Sequence, residues 1–227
     1  KRGGKGVIGT GQHEEDFVEH LFTASTNDYM MYFTSAGRVY VEKVYEIPEG
    51  TRTSKGRAIS NVMQMLKDEK IAAMLCVKSL TEEGKSLMFC TQHGIIKKTA
   101  LKDYANVRKG GIIAINIEQG DSLISVKEVV PGNQVVIISA EGMSIRFPEE
   151  ETREMGRPAT GVIGMRLGKG DLVKAMEVVD PACTLLVAGV NGIGKRTPFD
   201  DEDGPVFRLQ SRGGKGVIAI KTESGVA

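Results

Sequence analysis

The chain has 227 residues with a formal net charge of +1; 41% of the residues are hydrophobic and 28 are glycine. This length allows one or two ordinary domains or one large all-β domain, and a glycine share well above the usual roughly 7% predicts many turns. A near-zero net charge excludes an overall basic field, so any binding of a polyanion must come from local clusters of cations.

The sequence carries no signature of a membrane or secreted protein. No apolar run approaches the roughly 20 residues that span a bilayer, and no signal peptide opens the chain. Cys76, Cys90 and Cys183 are scattered and lack the spacing of metal ligands. We therefore expect a soluble cytosolic protein with reduced, buried cysteines.

A basic, glycine-rich loop that leads into a short apolar strand occurs five times, and we call each such loop a box. The first box, at 1–6, precedes Val-Ile-Gly-Thr, and the last, at 212–216, precedes Val-Ile-Ala-Ile. Weaker copies occupy 52–56, 108–111 and 157–161. Self-similarity of this kind indicates a repeat architecture.

Between the boxes, runs of β-branched and aromatic residues bounded by Gly, Asn and Asp predict strands. In chain order the predicted strands are 16–25, 29–34, 38–44, 71–77, 86–90, 95–99, 123–127, 134–138, 143–147, 172–178, 184–188 and 193–197. A short helix at 61–70 is an alternative that the residues leave open. Tight hairpin turns, which require positive φ, are expected between the third and fourth strands of successive units at Gly37, Gly94, Gly142 and Gly192.

The spacing of the glycines supports the repeat. From the last glycine of each box to the hairpin glycine the steps are 31, 38, 31 and 31 residues. Four short strands in a unit of about 50 residues are typical of a propeller blade. We therefore predict one all-β domain over 1–227, a β-pinwheel or propeller-like disc of four-stranded blades, with about five blades represented. The predicted repeats are 1–51, 52–107, 108–156, 157–211 and a partial one at 212–227, so we expect a fragment of a longer polypeptide.

One segment has the spacing of a phosphate-binding loop. Residues 189–195 read Gly-Val-Asn-Gly-Ile-Gly-Lys, but Arg196 stands where Ser or Thr should bind Mg²⁺, and Pro198 stands where a helix should begin. The equivalent segment of the second repeat is a predicted hairpin, so we favour a hairpin here too. No nucleophile with a base can be assembled, and no metal-ligand spacing occurs. We expect no catalytic residue, metal or cofactor in this fragment.

Cations recur in fixed positions of the repeat, in the boxes and in the second strands of the hairpins. Equivalent positions of a bladed array lie at equivalent radius, so they would form a basic belt on one rim. Gly lets backbone N–H groups approach a phosphate, and Arg adds bidentate contacts. Such contacts position a duplex without reading its sequence.

The alternative, that these cations merely aid solubility, is weakened by the five copies. The predicted DNA contacts are Lys1, Arg2, Gly3, Gly4, Lys5 and Gly6 in the first box, and Arg38, Arg52, Lys55, Arg57, Lys97, Lys98, Arg108, Lys109, Arg146, Arg157, Lys195, Arg196, Arg212 and Lys215 along the rim.

The boxes resemble the Gln-Arg-Arg-Gly-Gly-Lys-Gly motif of the C-terminal domain of the DNA gyrase A subunit. Residues 1–6 are similar to its last six positions, with Lys for the first Arg, and 210–216 match six of seven, with Ser211 departing. Residues 17–61 and 192–197 resemble the same family, so the likeness covers the whole chain. Only four full periods and two partial ones are present.

The resemblance implies a six-bladed β-pinwheel whose blades exchange strands. It also implies that sequence-nonspecific duplex DNA wraps around the basic rim, so that ATP-driven strand passage by the type IIA topoisomerase introduces negative supercoils. The catalytic tyrosine would lie in the preceding cleavage domain, and ATP and Mg²⁺ would be bound elsewhere in the parent enzyme. The implied partners are the remainder of the gyrase A subunits together with the B subunits, two copies of each, in the bacterial cytoplasm at the nucleoid. No membrane or small-molecule partner is implied.

Two alternatives remain from the sequence. The related C-terminal domain of the topoisomerase IV A subunit usually has a degenerate first box, so the intact box here favours gyrase. A propeller scaffold for protein binding would need an exposed aromatic or apolar hot spot, and aromatic residues make up only 5% of the chain, with no Trp.

Overall fold

The computed structural model describes residues 17–51, 53–67, 69–201, 204–221 and 225–227. Within these ranges the regular structure is β-strand, with four short 3-10 helices at Val44–Glu46, Ile59–Asn61, Leu101–Tyr104 and Glu149–Glu151. None of these helices has the length and apolarity that a bilayer crossing requires. The strands are β1 (Tyr29–Thr34), β2 (Arg38–Lys43), β3 (Ile71–Val77), β4 (Ser86–Thr91), β5 (Ile95–Ala100), β6 (Ile112–Ile113), β7 (Leu123–Val129), β8 (Gln134–Ser139), β9 (Met143–Pro148), β10 (Val162–Ile163), β11 (Val173–Val178), β12 (Thr184–Ala188), β13 (Gly194–Pro198), β14 (Asp200–Asp201), β15 (Gly204–Pro205) and β16 (Val217–Ile218).

Three four-stranded antiparallel sheets follow one another along the chain, in the orders β3-β1-β2-β6, β7-β4-β5-β10 and β11-β8-β9-β16. The hairpin β12–β13 comes next, followed by the two-stranded pair β14–β15. The predicted all-β fold of four-stranded blades is thus confirmed, but the described residues complete three four-stranded blades rather than about five.

Each sheet takes its strands from three successive repeats. The central hairpin belongs to one repeat, the long outer strand to the next repeat, and the short outer strand follows the box of the repeat after that. In the first sheet, for example, Arg38 and Val39 of the hairpin pair with Ile113 and Ile112. The partial fifth repeat therefore adds β16 to the third sheet rather than opening a sheet of its own among the described residues.

The hairpin glycines fasten this exchange. All four predicted turns are present, and the glycines at 37, 94, 142 and 192 have φ between 77° and 84°. The carbonyl oxygen of Gly94 accepts hydrogen bonds from the backbone N–H groups of Gly164 (2.8 Å) and Met165 (3.2 Å), and the first and third hairpins make the same contact. A Cβ on Gly94 would lie 2.5 Å from the oxygen of Met165. Gly37, Gly94 and Gly142 therefore need to be glycine for both φ and space, whereas Gly192 has open space and is favoured by its φ alone.

The hydrophobic core lies between consecutive sheets. Phe33 of the first sheet packs edge-on against Phe89 of the second, with ring centroids 5.6 Å apart. Ile96 of the second sheet and Phe147 of the third are buried in the next cluster, and Phe199 and Phe207 lie between the third sheet and the fourth hairpin. Because the inner sheets are covered on both faces, even adjacent residues of a central strand are buried.

Some local predictions are wrong. Residues 17–25 form no strand, and Phe17 and Leu21 are exposed. The equivalent strands β7 and β11 pair with the hairpin of the repeat before them, and the described residues offer 17–25 no such partner. The helical alternative at 61–70 is also wrong for the described residues of that segment, 61–67 and 69–70, which hold no α-helix and only the end of the 3-10 turn Ile59–Asn61. Cys90 is buried as expected, but Cys183 is exposed.

Candidate nucleic-acid interface

The last three boxes form one continuous edge of the molecule. After the third box, the N–H of Asn116 donates to the oxygen of Ala159 in the fourth box (3.3 Å). At the equivalent position one repeat later, the N–H of Arg166 donates to the oxygen of Gly214 in the fifth box (2.9 Å). Backbone hydrogen bonds thus join successive boxes, and we call residues 108–116, 156–166 and 212–220 the box edge.

Glycine lets each box lie flat against the hairpin below it. A Cβ on Gly161 would lie 2.3 Å from the oxygen of Ile96, and a Cβ on Gly216 would lie 2.2 Å from the oxygen of Ser144. Gly111 is covered instead by the ring of Tyr40, whose Cε1 would lie 2.7 Å from an added Cβ. The second box differs, because Gly56 has open space around it and no strand follows it.

Several predicted cations are available to a ligand along or near these loops. Arg108, Lys109 and Lys215 are exposed on the box edge, and Lys55 and Arg57 are exposed at the second box.

Arg157 and Arg212 on the box edge are half-buried. The guanidinium of Arg212 donates to the oxygens of Glu151 (2.9 Å) and Ile163 (3.1 Å), so it is fixed between the fourth and fifth boxes.

Arg38 is a support of the third box. Its Nη2 donates to the oxygens of Gly110 (2.7 Å) and Gly111 (3.1 Å), and its Nε lies 3.7 Å from the Glu69 carboxylate. Arg38, predicted as a rim contact to DNA, thus has its Nη2 group engaged by the backbone of the third box.

The expectation that Lys97, Lys98 and Arg146 lie on an exposed rim is wrong. They are buried, with 0%, 9% and 6% of the residue exposed. A cation at this depth must find partners inside the protein, since an unpaired buried charge is strongly unfavourable. Without a rearrangement of the core these three side chains cannot reach a phosphate.

Lys98 and Arg146 occupy the same position, four residues after their hairpin glycines, and each binds the segment that follows the next hairpin. Lys98 pairs with the carboxylate of Glu149. Arg146 binds both carboxylate oxygens of Asp200 at 2.8 and 3.2 Å, and these hydrogen bonds lower the pKa of the Asp200 carboxyl. The two cations therefore join neighbouring blades.

Lys97 occupies the preceding position and points toward the box edge. Its Nζ donates to the oxygens of Arg157 (2.6 Å) and Ala114 and lies 3.4 Å from the oxygen of Gly156. Burial lowers its pKa to about 7; nearby Asp103 acts in the opposite direction and Arg157 in the same direction.

The segment with phosphate-loop spacing is a hairpin. Gly189 and Gly192 lie in the turn between β12 and β13, and Lys195 and Arg196 are exposed on β13, with no α-helix following in the described residues. The predicted contacts Lys1, Arg2, Gly3, Gly4, Lys5, Gly6 and Arg52 lie outside the described residues.

Comparison with known proteins agrees with this geometry. A family model described as "DNA gyrase C-terminal domain, beta-propeller" matches residues 1–25, 28–78, 85–129, 133–180 and 184–227. The DNA gyrase A subunit of Mycolicibacterium smegmatis is 41% identical over 223 residues, which are 97% of this chain and 26% of the relative. The gyrase A subunit of Staphylococcus aureus is 42% identical over 218 residues, which are 95% of this chain and 24% of the relative. The chain thus spans about a quarter of the length of the relatives that it matches.

Solved structures show the same fold. The C-terminal domain of DNA topoisomerase IV superposes with a TM-score of 0.76 at 25% identity, covering 88% of this chain and 62% of that one. A DNA gyrase A C-terminal domain superposes with a TM-score of 0.73 at 23% identity, covering 97% of this chain and 73% of that one. With the family model matching nearly all of its length, the chain belongs to the family of DNA gyrase C-terminal domains.

Proposed function

We propose that this domain binds duplex DNA without sequence preference and wraps it along the box edge, as the non-catalytic wrapping module of a DNA gyrase. The observation that carries the proposal is the continuity of the box edge. Backbone hydrogen bonds place three basic loops next to one another, and Arg108, Lys109 and Lys215 project from them into solvent. A row of exposed cations on a fixed backbone suits a polyanion that runs past successive blades.

In this proposal the chemistry lies elsewhere in the parent enzyme. The domain bends the duplex so that ATP-dependent strand passage, by the remainder of the gyrase A subunit with the B subunit, introduces negative supercoils. ATP and Mg²⁺ are bound outside this chain, and the enzyme works on nucleoid DNA in the bacterial cytoplasm. A topoisomerase IV subunit is the second candidate because that domain superposes well, but the sequence relatives at 41% and 42% identity are gyrase subunits and favour gyrase.

The test measures DNA binding by the purified parent protein as a function of salt and duplex length. Each phosphate that a cation neutralises should contribute about −0.9 to the slope of log affinity against log salt. Affinity should also rise with duplex length until the box edge is covered, and it should be the same for unrelated sequences. A flat salt response, or a strong preference for one sequence, would contradict the proposal.

A further inference from the structure

One hydrogen bond of the box edge cannot form between the third and fourth boxes. Between the fourth and fifth boxes, the N–H of Gly213 donates to the oxygen of Gly164 (2.6 Å). One repeat earlier the equivalent donor is residue 158, counted back three residues from the box glycine, and the equivalent acceptor is the oxygen of Ala114. Residue 158 is Pro158, which has no N–H to donate.

The oxygen of Ala114 nevertheless has a nitrogen donor, because the Nζ of Lys97 reaches it from the hairpin below. The same ammonium donates to the oxygen of Arg157 at 2.6 Å, immediately before the proline. The hydroxyl of Tyr104 donates to Ala114 as well, at 3.2 Å. Lys97 therefore bridges the second, third and fourth repeats at the point where the backbone bond is missing.

Beneath the fifth box, where the backbone hydrogen bond is intact, the position equivalent to Lys97 holds an apolar residue. The residue equivalent to Lys97, three after the hairpin glycine, is Ile145 in the third sheet. Its side chain packs under Gly214, so that an added Cβ there would lie 3.4 Å from Ile145 Cδ1. An apolar support thus accompanies the glycine donor, and a lysine accompanies the proline.

We infer that Lys97 is a positioning residue that replaces the N–H missing at Pro158 and thereby holds the Arg157 loop in place on the box edge. The inference rests on the proposed DNA-binding function, and Lys97 itself does not touch DNA because it is fully buried. The side chain still meets its two close acceptors when it is uncharged, since a neutral amine keeps two N–H groups. Its lowered pKa, about 7, which burial causes, is therefore compatible with the role.

The experiment replaces the lysine–proline arrangement of the fourth box with the isoleucine–glycine arrangement of the fifth box, in the full-length parent protein. Lys97→Ile introduces the side chain of the intact repeat without its backbone donor, and it removes the donor that Ala114 and Arg157 share, while Ala114 keeps the hydroxyl of Tyr104. We expect DNA affinity to fall about tenfold, the order of effect of one buried acceptor left without a donor. Adding Pro158→Gly to Lys97→Ile restores the N–H, and affinity should return to within about twofold of the wild type. Ala159→Gly is the matched control, since it adds flexibility to the same loop but no donor, and it should not rescue.

The outcomes separate the inference from the proposed function. If the wild type shows no salt-dependent DNA binding, the proposed function fails whatever Lys97 does. If the wild type binds but folded Lys97→Ile binds equally well, or if both glycine variants rescue it alike, the inference is overturned. Should Lys97→Ile fail to fold, recovery of folding and binding with Pro158→Gly and not with Ala159→Gly supports the inference, and failure with both overturns it.

Discussion

The ammonium of Lys98 and the carboxylate of Glu149 form an ion pair closed off from solvent, with 11% and 5% of the two side chains exposed. Lys98 lies on the hairpin of the second sheet, and Glu149 follows the hairpin of the third. Arg146 and Asp200 form the equivalent pair one blade later, where Arg146 is buried but 47% of the Asp200 side chain is exposed. At this position of the second and third hairpins, the recurring cation therefore joins one blade to the next.

We expect Lys98→Met to lower the free energy of unfolding by about 3–5 kcal/mol, because it leaves the Glu149 carboxylate buried without its partner. Lys127→Met removes the more exposed pair of Lys127 with Glu177 and should change it by only about 0–1 kcal/mol. Denaturant unfolding of the two variants is the measurement. Equal effects would show that burial of the Lys98 pair has no energetic consequence.

Burial of Lys97 should make the free energy of unfolding depend on pH. Its folded pKa is about 7, below the ordinary value of 10.5, so between these values the unfolded chain binds more protons than the folded one. Stability therefore rises as pH increases from about 7 toward 10.5, and the cost of burying the charged ammonium is present in full below the folded pKa. Lys97→Met should abolish this slope, measured as the difference in unfolding free energy between the wild type and the variant across that range. A difference that does not change with pH would contradict the lowered pKa.

Exposed cations of the box edge should contribute more to DNA binding than exposed cations elsewhere on the molecule. Replacing Arg108 and Lys109 with Ala should reduce the salt slope by about 0.9 for each phosphate that the variant no longer neutralises. Lys78 and Lys102 are exposed and belong to none of the boxes, and their replacement by Ala is the charge-matched control that should leave the slope unchanged. An identical change in both double variants would mean that only net charge matters.

The first box should decide the outcome of the parent reaction. We expect Arg2→Ala with Lys5→Ala to abolish negative supercoiling, because a bent duplex must be fastened against an elastic recoil on the order of 1–6 kcal/mol for bends of 40–90°. ATP-independent relaxation and DNA cleavage should both be retained. Supercoiling and relaxation assays on one preparation test this, and full supercoiling, or equal loss of both activities, would rule the role out.

Close approach of the backbone makes Gly216 irreplaceable. Ala there would adopt a φ of 78° and place its Cβ 2.2 Å from the oxygen of Ser144, so the fifth box should lift off its hairpin. Gly120 has a similar φ of 86°, and nothing lies within 4 Å of an added Cβ there. Gly120→Ala should therefore lower the free energy of unfolding only by the strain of alanine at positive φ, about 1–2 kcal/mol. Thermal unfolding of the two variants compares them, and similar losses would mean that the contact with Ser144 is unimportant.

The repeat was predictable because glycine marks it directly. Positive φ and close contact leave no alternative at Gly94 or Gly142, so counting residues between glycines located the hairpins and the boxes. The exchange of strands was implied only by the family resemblance, since nothing in the residues of β6 or β10 says which hairpin they pair with.

The burial of both Lys97 and Lys98 was not predictable from the alternation of side chains along a β-strand. Two adjacent residues of a strand point to opposite faces, and one exposed face would normally be expected. Here both faces of β5 are covered by neighbouring sheets, so both lysines are enclosed. Pro158 was the available signal, because a proline in the position of Gly213 indicates that another group must donate the missing hydrogen bond.

The assembly of each sheet from three repeats also constrains how such a domain can change in evolution. A single repeat excised from the chain carries a central hairpin but not the outer strands that complete its sheet, since those come from the two repeats that follow. Duplication or loss of one repeat therefore changes the partners of strands in three sheets at once. The series can vary only where each new hairpin still meets a compatible box two repeats later, which links the length of the array to the sequence of every box in it.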